Sequence, residues 1–596
     1  MPIVRLLYTS LLLAFVWPSA TGAAGDDGRP TDGGARAAGP RPNIVFLQAD
    51  SVDGRLFDPT DADMFTTLLI DALRVNYLDA GVNFARHYTN SPQCVPSRTS
   101  MFVSRYVHES WTPNNGQGFA RSTRTGALDD SCVAFWGRAA CAAMADRQNI
   151  SATLVDAVRE AGYRFAPFGR FDVGAGILQD YPPNTDGDGF HDGPELGILA
   201  RGAALPGAID ARGPLANTDS ADPDPFAADV RRAAAAKEWL MDDDPAGKAP
   251  FFLWCGLMIP HPPYDSNNSW EAHVNASAPD VPAQTPLESV HWYDAFMSDK
   301  KHVWAEFGNY SAANVTRMRR AYWGAVAEAS ELVRQVLHAA ETTGHLNNTI
   351  VIFTSDHGEM ALEARQDLKS SLREPSARVP LVVMPFGVPG MGGAAGRVVT
   401  NLTSHLDVLP TIVELMGGSA FAGARGHSLV PFFLDAPPAP LPPRPDFVVS
   451  TYASNYAPTG SYMLRSAQWK LIVFGHSFPW LNATQLPPQL FDVDADPREL
   501  TDVAAANAPL VAALTAQLEA ELGGTGSVER IERELMADNL AQFNNVWFSQ
   551  CTGEELVAAL LANFIGVERA FAVERITAWL GVSPLNATGP GGSCPK

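Results

Sequence analysis

The chain is organised around a ten-residue stretch, Asn90-Ser91-Pro92-Gln93-Cys94-Val95-Pro96-Ser97-Arg98-Thr99. Within it a cysteine opens the pattern Cys94-x-Pro96-Ser97-Arg98, in a segment rich in proline and serine. The pattern has two interpretations: a cysteine with a chemical task, or a buried or disulfide-bonded cysteine in a turn. Five residues can match by chance in a chain of 596. The choice therefore depends on which other motifs accompany the cysteine, and at which distances.

Two apolar runs, one on each side of this stretch, lead into acidic residues. The run Asn43–Asp50 ends in an acid, and the run Thr349–Glu359 carries Asp356 and His357. Both runs predict buried parallel strands, and ligands of open α/β sheets gather at the carboxyl ends of such strands. Carboxylate and imidazole donors together suit a divalent cation. The alternative for Asp50 is a helix cap.

Two further strands are predicted to lead into basic residues. Tyr163–Phe168 precedes Arg170, and Phe251–Met258 precedes His261, which stands between prolines. The fork of Arg170 is able to grip two oxygens of an anion, although a surface arginine is the alternative. A histidine in a proline-rich loop is seldom a core residue, so His261 is a candidate for function.

Helical patterns lie between these strands. Ser151–Ala161 predicts a helix with Ser151 as its N-cap and Gly162 as its stop. Ser311–Ala340 predicts a long helix that closes near Gly344. Towards the end of the chain, Tyr462–Leu471 predicts a β-hairpin.

In order and spacing these motifs resemble the sulfatase family, from about residue 42 to residue 505. The matching features are the Cys94–Arg98 core, the Asp356-His357-Gly358 run, Lys369 twelve residues past His357, and Asp407-x-x-Pro410-Thr411. Ser51 stands where the family usually has a second aspartate, and Arg170 where it usually has a lysine. The resemblance implies an α/β fold: an alkaline-phosphatase-like sulfatase core with a mostly parallel central sheet flanked by helices, plus a small α+β C-terminal subdomain.

The resemblance also implies a mechanism. Cys94 would be oxidised to formylglycine by the formylglycine-generating enzyme, and a hydroxyl of the hydrated aldehyde would attack the sulfur of a sulfate ester. Calcium, with magnesium as the alternative, would be bound by Asp50, Cys94, Asp356 and His357. Arg98, Arg170 and Lys369 would neutralise the sulfate oxygens. His261 would protonate the leaving oxygen, a role that Lys369 could share.

The implied function is a sulfuric ester hydrolase of the arylsulfatase type, acting on a sulfated saccharide or an aryl sulfate. Two rivals remain. The first is a phosphatase or phosphonate-ester hydrolase of the same superfamily, against which the Cys94–Arg98 core favours sulfate, because phosphatases normally keep serine or threonine at position 94. A non-catalytic binder of sulfated glycans would leave Cys94 unmodified.

The start of the chain predicts export. Arg5, the apolar stretch Leu6–Trp17 and the small residues after it are typical of a secretory signal, and the stretch is too short to span a bilayer. No later apolar run is long enough to predict a transmembrane segment, so we expect a lysosomal or secreted enzyme. The predicted organisation is a signal peptide (1–24), a disordered lead-in (25–41), the catalytic domain (42–436), the small C-terminal subdomain (446–505) and a mainly helical extension (506–596).

Composition limits the partners. The formal charge of −22 argues against nucleic acid, because a polyanion binder needs a basic face. An anionic sugar would therefore need a locally basic pocket. Nine Asn-x-Ser/Thr sequons predict glycans on surface loops: Asn149, Asn267, Asn275, Asn309, Asn314, Asn347, Asn401, Asn482 and Asn586.

The remaining cysteines and one acidic segment complete the predictions. With Cys94 set aside, proximity along the chain pairs Cys132 with Cys141 and Cys551 with Cys594, and leaves Cys255 as a buried thiol in a strand. The segment 184–195 has the spacing of a twelve-residue calcium loop but no flanking helices. It is either a calcium site or an acidic surface insertion.

Overall fold

The protein is described here by a computed structural model. It describes residues 41–59, 68–115, 118–130, 132–133, 137–174, 227–243, 249–262, 264, 268–274, 282–286, 289–300, 312–418, 423–453, 457, 459–476, 486–535 and scattered positions between 551 and 587. The predicted signal peptide, residues 25–40 of the lead-in, the acidic segment 184–195 and Cys594 lie outside the described residues.

Seven strands form a central, mostly parallel sheet. The first nine strands of the chain are β1 (Asn43–Ala49), β2 (Val82–Phe84), β3 (His87–Tyr88), β4 (Arg164–Gly169), β5 (Phe251–Gly256), β6 (Thr349–Ser355), β7 (Leu381–Phe386), β8 (Arg397–Val399) and β9 (Thr403–Ser404). The sheet has the order β4-β5-β1-β6-β7-β2-β8. Strand β7 runs antiparallel to both of its neighbours, and the other pairs are parallel. The predicted fold class is confirmed.

Helices cover both faces of this sheet. The helices of the described chain include α1 (Leu68–Asn76), α2 (Cys94–Val103), α3 (Val107–Ser110), α4 (Arg138–Gln148), α5 (Leu154–Glu160), α6 (Ala227–Asp242), α7 (Asn268–Glu271), α8 (Trp292–Lys300), α9 (Ala312–Thr342), α10 (Glu374–Ala377), α11 (Val408–Leu415) and α12 (Ala508–Glu521). Alternate residues of β1 enter two different cores, with α9 packed on one face and α2, α5 and α11 on the other. Burial on both faces explains why β1 and β6 read as continuous apolar runs.

The predicted helices are present, with one correction at a helix start. Helix α9 begins one residue later and ends two residues later than predicted, and Gly344 follows it in the left-handed conformation at φ 77°. The N-cap of α5 is Thr153, and Ser151 is not the cap. The Thr153 amide donates to the carboxylate of Asp156 at 2.8 Å, which forms a capping box.

A second, antiparallel sheet follows the proline-rich stretch Pro437–Pro445. It consists of β10 (Phe447–Tyr452), β11 (Ser461–Ser466), β12 (Trp469–Phe474) and β13 (Gln489–Asp492) in chain order, and β11 and β12 form the predicted hairpin. We call it the C-terminal sheet. Helix α12 and the helical residues 527–535 share one apolar core with it. The boundary that we placed at residue 505 stays a prediction.

The cysteines agree with the prediction where they are described. Cys132 and Cys141 are disulfide-bonded, Cys255 is a buried free thiol, and Cys94 is also free. Cys551 is disulfide-bonded as well. Within the described part of the chain, none of the helices has the length and apolar character needed to cross a membrane.

Candidate active site

Strands β1 and β6 and helix α2 bring four predicted ligands together. Asp50 directly follows β1, Asp356 and His357 directly follow the neighbouring strand β6, and Cys94 is the first residue of α2. One donor atom from each of the four lies within 4.8 Å of all the others, and all four side chains are buried. The residues therefore converge although up to 307 positions separate them along the chain.

The ring of His357 directs its Nε2 towards Cys94 and Asp50. Its Nδ1 donates to the carbonyl oxygen of Gly358 at 3.0 Å, which leaves the lone pair on Nε2. That atom lies 3.3 Å from Cys94 Sγ and 3.6 Å from Asp50 Oδ1. Burial lowers the pKa of His357, so the ring is neutral at pH 7. A backbone partner of this kind commonly fixes the tautomer of a metal-binding histidine.

Gly358 is required by close packing. A Cβ at this position would lie 2.0 Å from the carbonyl oxygen of Pro375. The turn after β6 therefore passes directly against the start of α10.

Arg98 is completely buried between the carboxylates. Its Nε donates to Asp356 and its Nη2 to Asp50, both at 3.0 Å, and its Nη1 donates to Gln48 at 3.0 Å. Burial by itself would lower the pKa of Arg98. The carboxylates of Asp356, Asp172 and Asp50 outweigh burial and raise that pKa above its usual value. The guanidinium thus orients the two carboxylates, and its predicted contact with sulfate stays a prediction.

Ser51 takes part in the site where the family usually has aspartate. Its hydroxyl donates to Asp50 Oδ1 at 2.9 Å, and its amide donates to Asp356 Oδ1 at 3.3 Å. The residue holds the left-handed conformation at φ 68°, which is uncommon for a residue other than glycine. Ser51 therefore orients both acids with hydrogen bonds.

Arg170 lies at the end of β4, next to the same acids. Its Nη1 is 3.2 Å from Asp50 Oδ2, and its Nε donates to Asp172. Burial opposes ionisation, but Asp172 and Asp50 keep the pKa of Arg170 well above its usual value. For Asp50, burial raises the pKa, yet the cationic groups around it, Arg170 first, hold it well below the usual range.

Lys369 and His261 form a hydrogen-bonded pair beside Cys94. His261 Nδ1 donates to the carbonyl oxygen of Pro262 at 2.6 Å, so its Nε2 accepts from the Lys369 ammonium. Burial, followed by the charge of Lys369, lowers the pKa of His261 well below its usual value. Burial also opposes ionisation of Lys369, but Cys94 and Asp50 outweigh it and raise that pKa. Lys369 is thus the proton donor of the pair.

The chain matches the sulfatase family model over residues 42–419. The chain belongs to the sulfatase family. It is a sulfuric ester hydrolase, and the described site lies within the matched region.

Curated relatives and solved structures agree with this assignment. Arylsulfatase K of Gallus gallus is 30% identical over 484 residues, which cover 78% of this sulfatase and 79% of the relative. Arylsulfatase K of Homo sapiens is 27% identical over 518 residues, with 84% of each chain covered.

Two solved structures share the fold. A phosphonate monoester hydrolase of Agrobacterium radiobacter has a TM-score of 0.56 at 22% identity, covering 81% of this chain and 95% of that one. A 2-O GAG sulfatase has a TM-score of 0.56 at 19% identity, covering 81% and 92%. At such identities the likeness concerns the fold.

Three supporting residues were not found from the sequence. Gln48 precedes Asp50 by two positions, so it points to the same face of the strand, and a glutamine in an apolar run was the available signal. Ser97 donates to the main-chain oxygen of Asp356 at 2.6 Å, and the pattern of the motif does not show that partner. Asp172 accepts a hydrogen bond from Arg170 Nε, and the local sequence does not predict that contact.

Proposed function

We propose that this sulfatase hydrolyses the sulfate ester of a sulfated saccharide, with formylglycine formed from Cys94 and a divalent cation as its cofactors. The proposal rests on the convergence of Asp50, Cys94, Asp356 and His357. The cationic Lys369, which is hydrogen-bonded to His261, lies beside them. In this arrangement the Cys94 sulfur stands in for the aldehyde oxygen of formylglycine. Cys94 is the first residue of helix α2, and the amides at the N-terminus of a helix stabilise negative charge near it.

The donor set fits calcium or magnesium. Two carboxylates and an imidazole nitrogen that carries a lone pair converge within 4.8 Å, together with position 94. Hard divalent cations prefer oxygen ligands, which the two carboxylates supply. The imidazole of His357 would be the nitrogen ligand. Asp50, Asp356, His357 and the modified residue 94 would bind the cation, which supplies Lewis-acid polarisation when bound.

The charges of the site favour an anionic ester. Asp50, Asp172 and Asp356 are balanced by Arg98, Arg170 and Lys369, while both histidines are neutral. A bound divalent cation leaves the pocket positive, although the whole chain carries a charge of −22. A sulfate monoester brings one negative charge, so charge complementarity stabilises it in the pocket.

Each side chain has a distinct role in the proposed reaction. Residue 94, once converted to formylglycine and hydrated, would supply the hydroxyl that attacks the sulfur. Arg170 stabilises charge on the sulfate oxygens, and Arg98 positions Asp50 and Asp356. Lys369 gives a proton to the leaving oxygen, either directly or through His261 Nε2, which accepts its hydrogen bond.

A saccharide substrate is supported by the relatives. The fold is shared with a 2-O GAG sulfatase and with a protein solved with its substrate D-glucosamine-2-N,6-O-disulfate. The signal sequence predicts a secretory enzyme, lysosomal or secreted, that meets the formylglycine-generating enzyme on the way. The exposed sequon residues Asn149, Asn347, Asn401 and Asn586 are compatible with glycosylation.

Matched esters test this proposal. Protein made in a secretory pathway, and its Cys94→Ala variant as the background control, would be assayed on 4-nitrophenyl sulfate, 4-nitrophenyl phosphate and sulfated disaccharides. We expect kcat/KM for the sulfate to exceed that for the phosphate at least ~100-fold, with sulfate released from a disaccharide. Preference for phosphate would support the phosphatase alternative, and binding of sulfated glycans without turnover would support the binder.

A further inference from the structure

Lys470, in the C-terminal sheet, is buried where a lysine needs an explanation. It lies in β12 with 0% of its surface exposed. Lysine is almost never fully buried unless it is paired. Its Nζ is 2.8 Å from Glu374 Oε1 and 2.7 Å from Glu499 Oε1, and it donates to the carbonyl oxygen of Leu372 at 3.1 Å.

Two of these partners belong to the segment that carries Lys369. Leu372 follows Lys369 by three residues, and Glu374 follows it by five and begins α10. The segment is strained, because several residues other than glycine hold positive φ. They are Ala361, Leu362, Ala364, Arg365, Leu368 and Ser370. Such conformations persist only where surrounding contacts fix them.

The C-terminal sheet is built to receive Glu374. Arg465 of β11 lies directly opposite Lys470 of β12, and like charges in that position repel. The Glu374 carboxylate lies 3.5 Å from the Arg465 guanidinium and 2.8 Å from the Lys470 ammonium, so its negative charge offsets the repulsion between them. Burial would raise the pKa of Glu374, but these cations hold it well below the usual range.

The same sheet also holds the segment before Cys94. Asn90 donates from Nδ2 to the carbonyl oxygen of Val449 at 3.0 Å, and its own carbonyl accepts from the Thr451 amide at 2.8 Å. The two segments meet where the Ser370 amide donates to the carbonyl oxygen of Pro92 at 3.0 Å. The C-terminal sheet therefore contacts both the segment before Cys94 and the segment that carries Lys369.

We propose that Lys470 is a positioning residue for Lys369, and that the C-terminal sheet is thereby part of the catalytic apparatus. By binding the Leu372 carbonyl and Glu374, Lys470 fixes the segment that presents the Lys369 ammonium beside position 94. This inference rests on the proposed function, in which Lys369 protonates the leaving oxygen.

Leaving-group dependence tests the inference in the mature, full-length enzyme. A saccharide sulfate has a poor leaving group that needs the proton, whereas 4-nitrophenolate leaves without one. Lys470→Met should lower kcat/KM for the saccharide sulfate ~10- to 100-fold more than for 4-nitrophenyl sulfate, as misplacement of a catalytic group does. Lys369→Met is the reference. Its loss of kcat/KM on the saccharide sulfate should exceed its loss on 4-nitrophenyl sulfate by at least the same factor; we call this difference between the two substrates discrimination.

Glu532→Gln is the matched control. Glu532 is also completely buried against the C-terminal sheet, but its hydrogen bonds go to Thr459, Gly460 and Tyr462, which do not belong to the segment that carries Lys369. We expect it to lower both rates by one common factor. If Lys470→Met does not fold, the double variant Lys470→Met/Glu499→Gln, which also removes the partner charge, replaces it.

The outcomes separate the two claims. A larger loss on the saccharide sulfate than on 4-nitrophenyl sulfate in both the Lys369 and the Lys470 variants, with equal losses in Glu532→Gln, supports the inference. Discrimination by Lys369→Met alone overturns it and leaves the proposed function standing. If Lys369→Met lowers both rates equally, the proton role of Lys369 is wrong, and the inference is overturned with it.

Discussion

Four of the five residues from Cys94 to Arg98 have a visible task in the structure. Cys94 contacts His357, and Pro96 occupies the first turn of α2, where a missing amide costs little. Ser97 donates to the main-chain oxygen of Asp356. Arg98 donates to the carboxylates of both Asp356 and Asp50. The motif is thus one hydrogen-bonded unit. Its serine and arginine bind Asp356 and Asp50, which are predicted metal ligands, rather than the cysteine.

Replacing Cys94 tests the nucleophile at the residue scale. Burial and the nearby Asp50 raise the pKa of the Cys94 thiol to about 12, so an unmodified side chain is a poor nucleophile. We expect Cys94→Ser to lower kcat on 4-nitrophenyl sulfate at least ~10³-fold, the scale seen when a nucleophile is removed. Thermal unfolding should match that of the parent protein. Full activity in the serine variant would contradict the formylglycine mechanism.

A second residue predicts the response to acid. His405 is fully buried, its Nδ1 lies 3.0 Å from Ser97 Oγ, and burial lowers its pKa to about 3. In the unfolded chain the pKa of this histidine is about 6.5. At a pH between that pKa and the pKa in the folded protein, the ring is protonated only in the unfolded chain, so the free energy of unfolding falls as the pH falls. In His405→Gln, the decrease in the free energy of unfolding between pH 7.5 and pH 5 should be smaller by about 2 kcal/mol.

Denaturant unfolding at both pH values measures this effect. Exposed His338 offers the control, because His338→Gln removes a histidine from the surface of α9. An unchanged pH slope in His405→Gln would contradict a neutral, buried His405.

At the scale of elements, apolar runs predicted the strands because β1 and β6 are buried on both faces. The ends of those strands then predicted the site, since parallel neighbours deliver their following residues to one edge. The contacts of Lys470 and Asn90 were not predictable in the same way. They join residues 98 and 359 positions apart, and no local pattern carries that information.

The packing of α12 gives a prediction for this scale. Leu518 is fully buried against the C-terminal sheet. Leu518→Ala should lower the free energy of unfolding by about 2–5 kcal/mol, as buried leucine truncations do. Urea titration followed by fluorescence measures it, and Ala516→Ser, at an exposed position of α12, is the control. A change below that range would show that α12 adds little to the core.

For the whole molecule, the site joins segments that are distant in sequence. A cation bound by Asp50, Asp356, His357 and residue 94 would connect β1, α2 and β6. At a cation concentration one hundred times the dissociation constant, such binding stabilises the folded state by about 3 kcal/mol.

Chelation should therefore lower both Tm and activity. Addition of calcium or magnesium should restore both, and Asp50→Asn should lose the cation-dependent part of Tm. Scanning calorimetry after dialysis against a chelator measures this. A Tm and an activity that are both indifferent to chelation would contradict a structural and catalytic cation.

The chemical state of residue 94 tests the central claim most directly. Trypsin releases it in the peptide His87–Arg98. In protein made in a secretory pathway, mass spectrometry should find this peptide about 18 Da lighter than the thiol form, as an aldehyde requires. An intact Cys94 thiol throughout a preparation that hydrolyses sulfate esters would contradict the account.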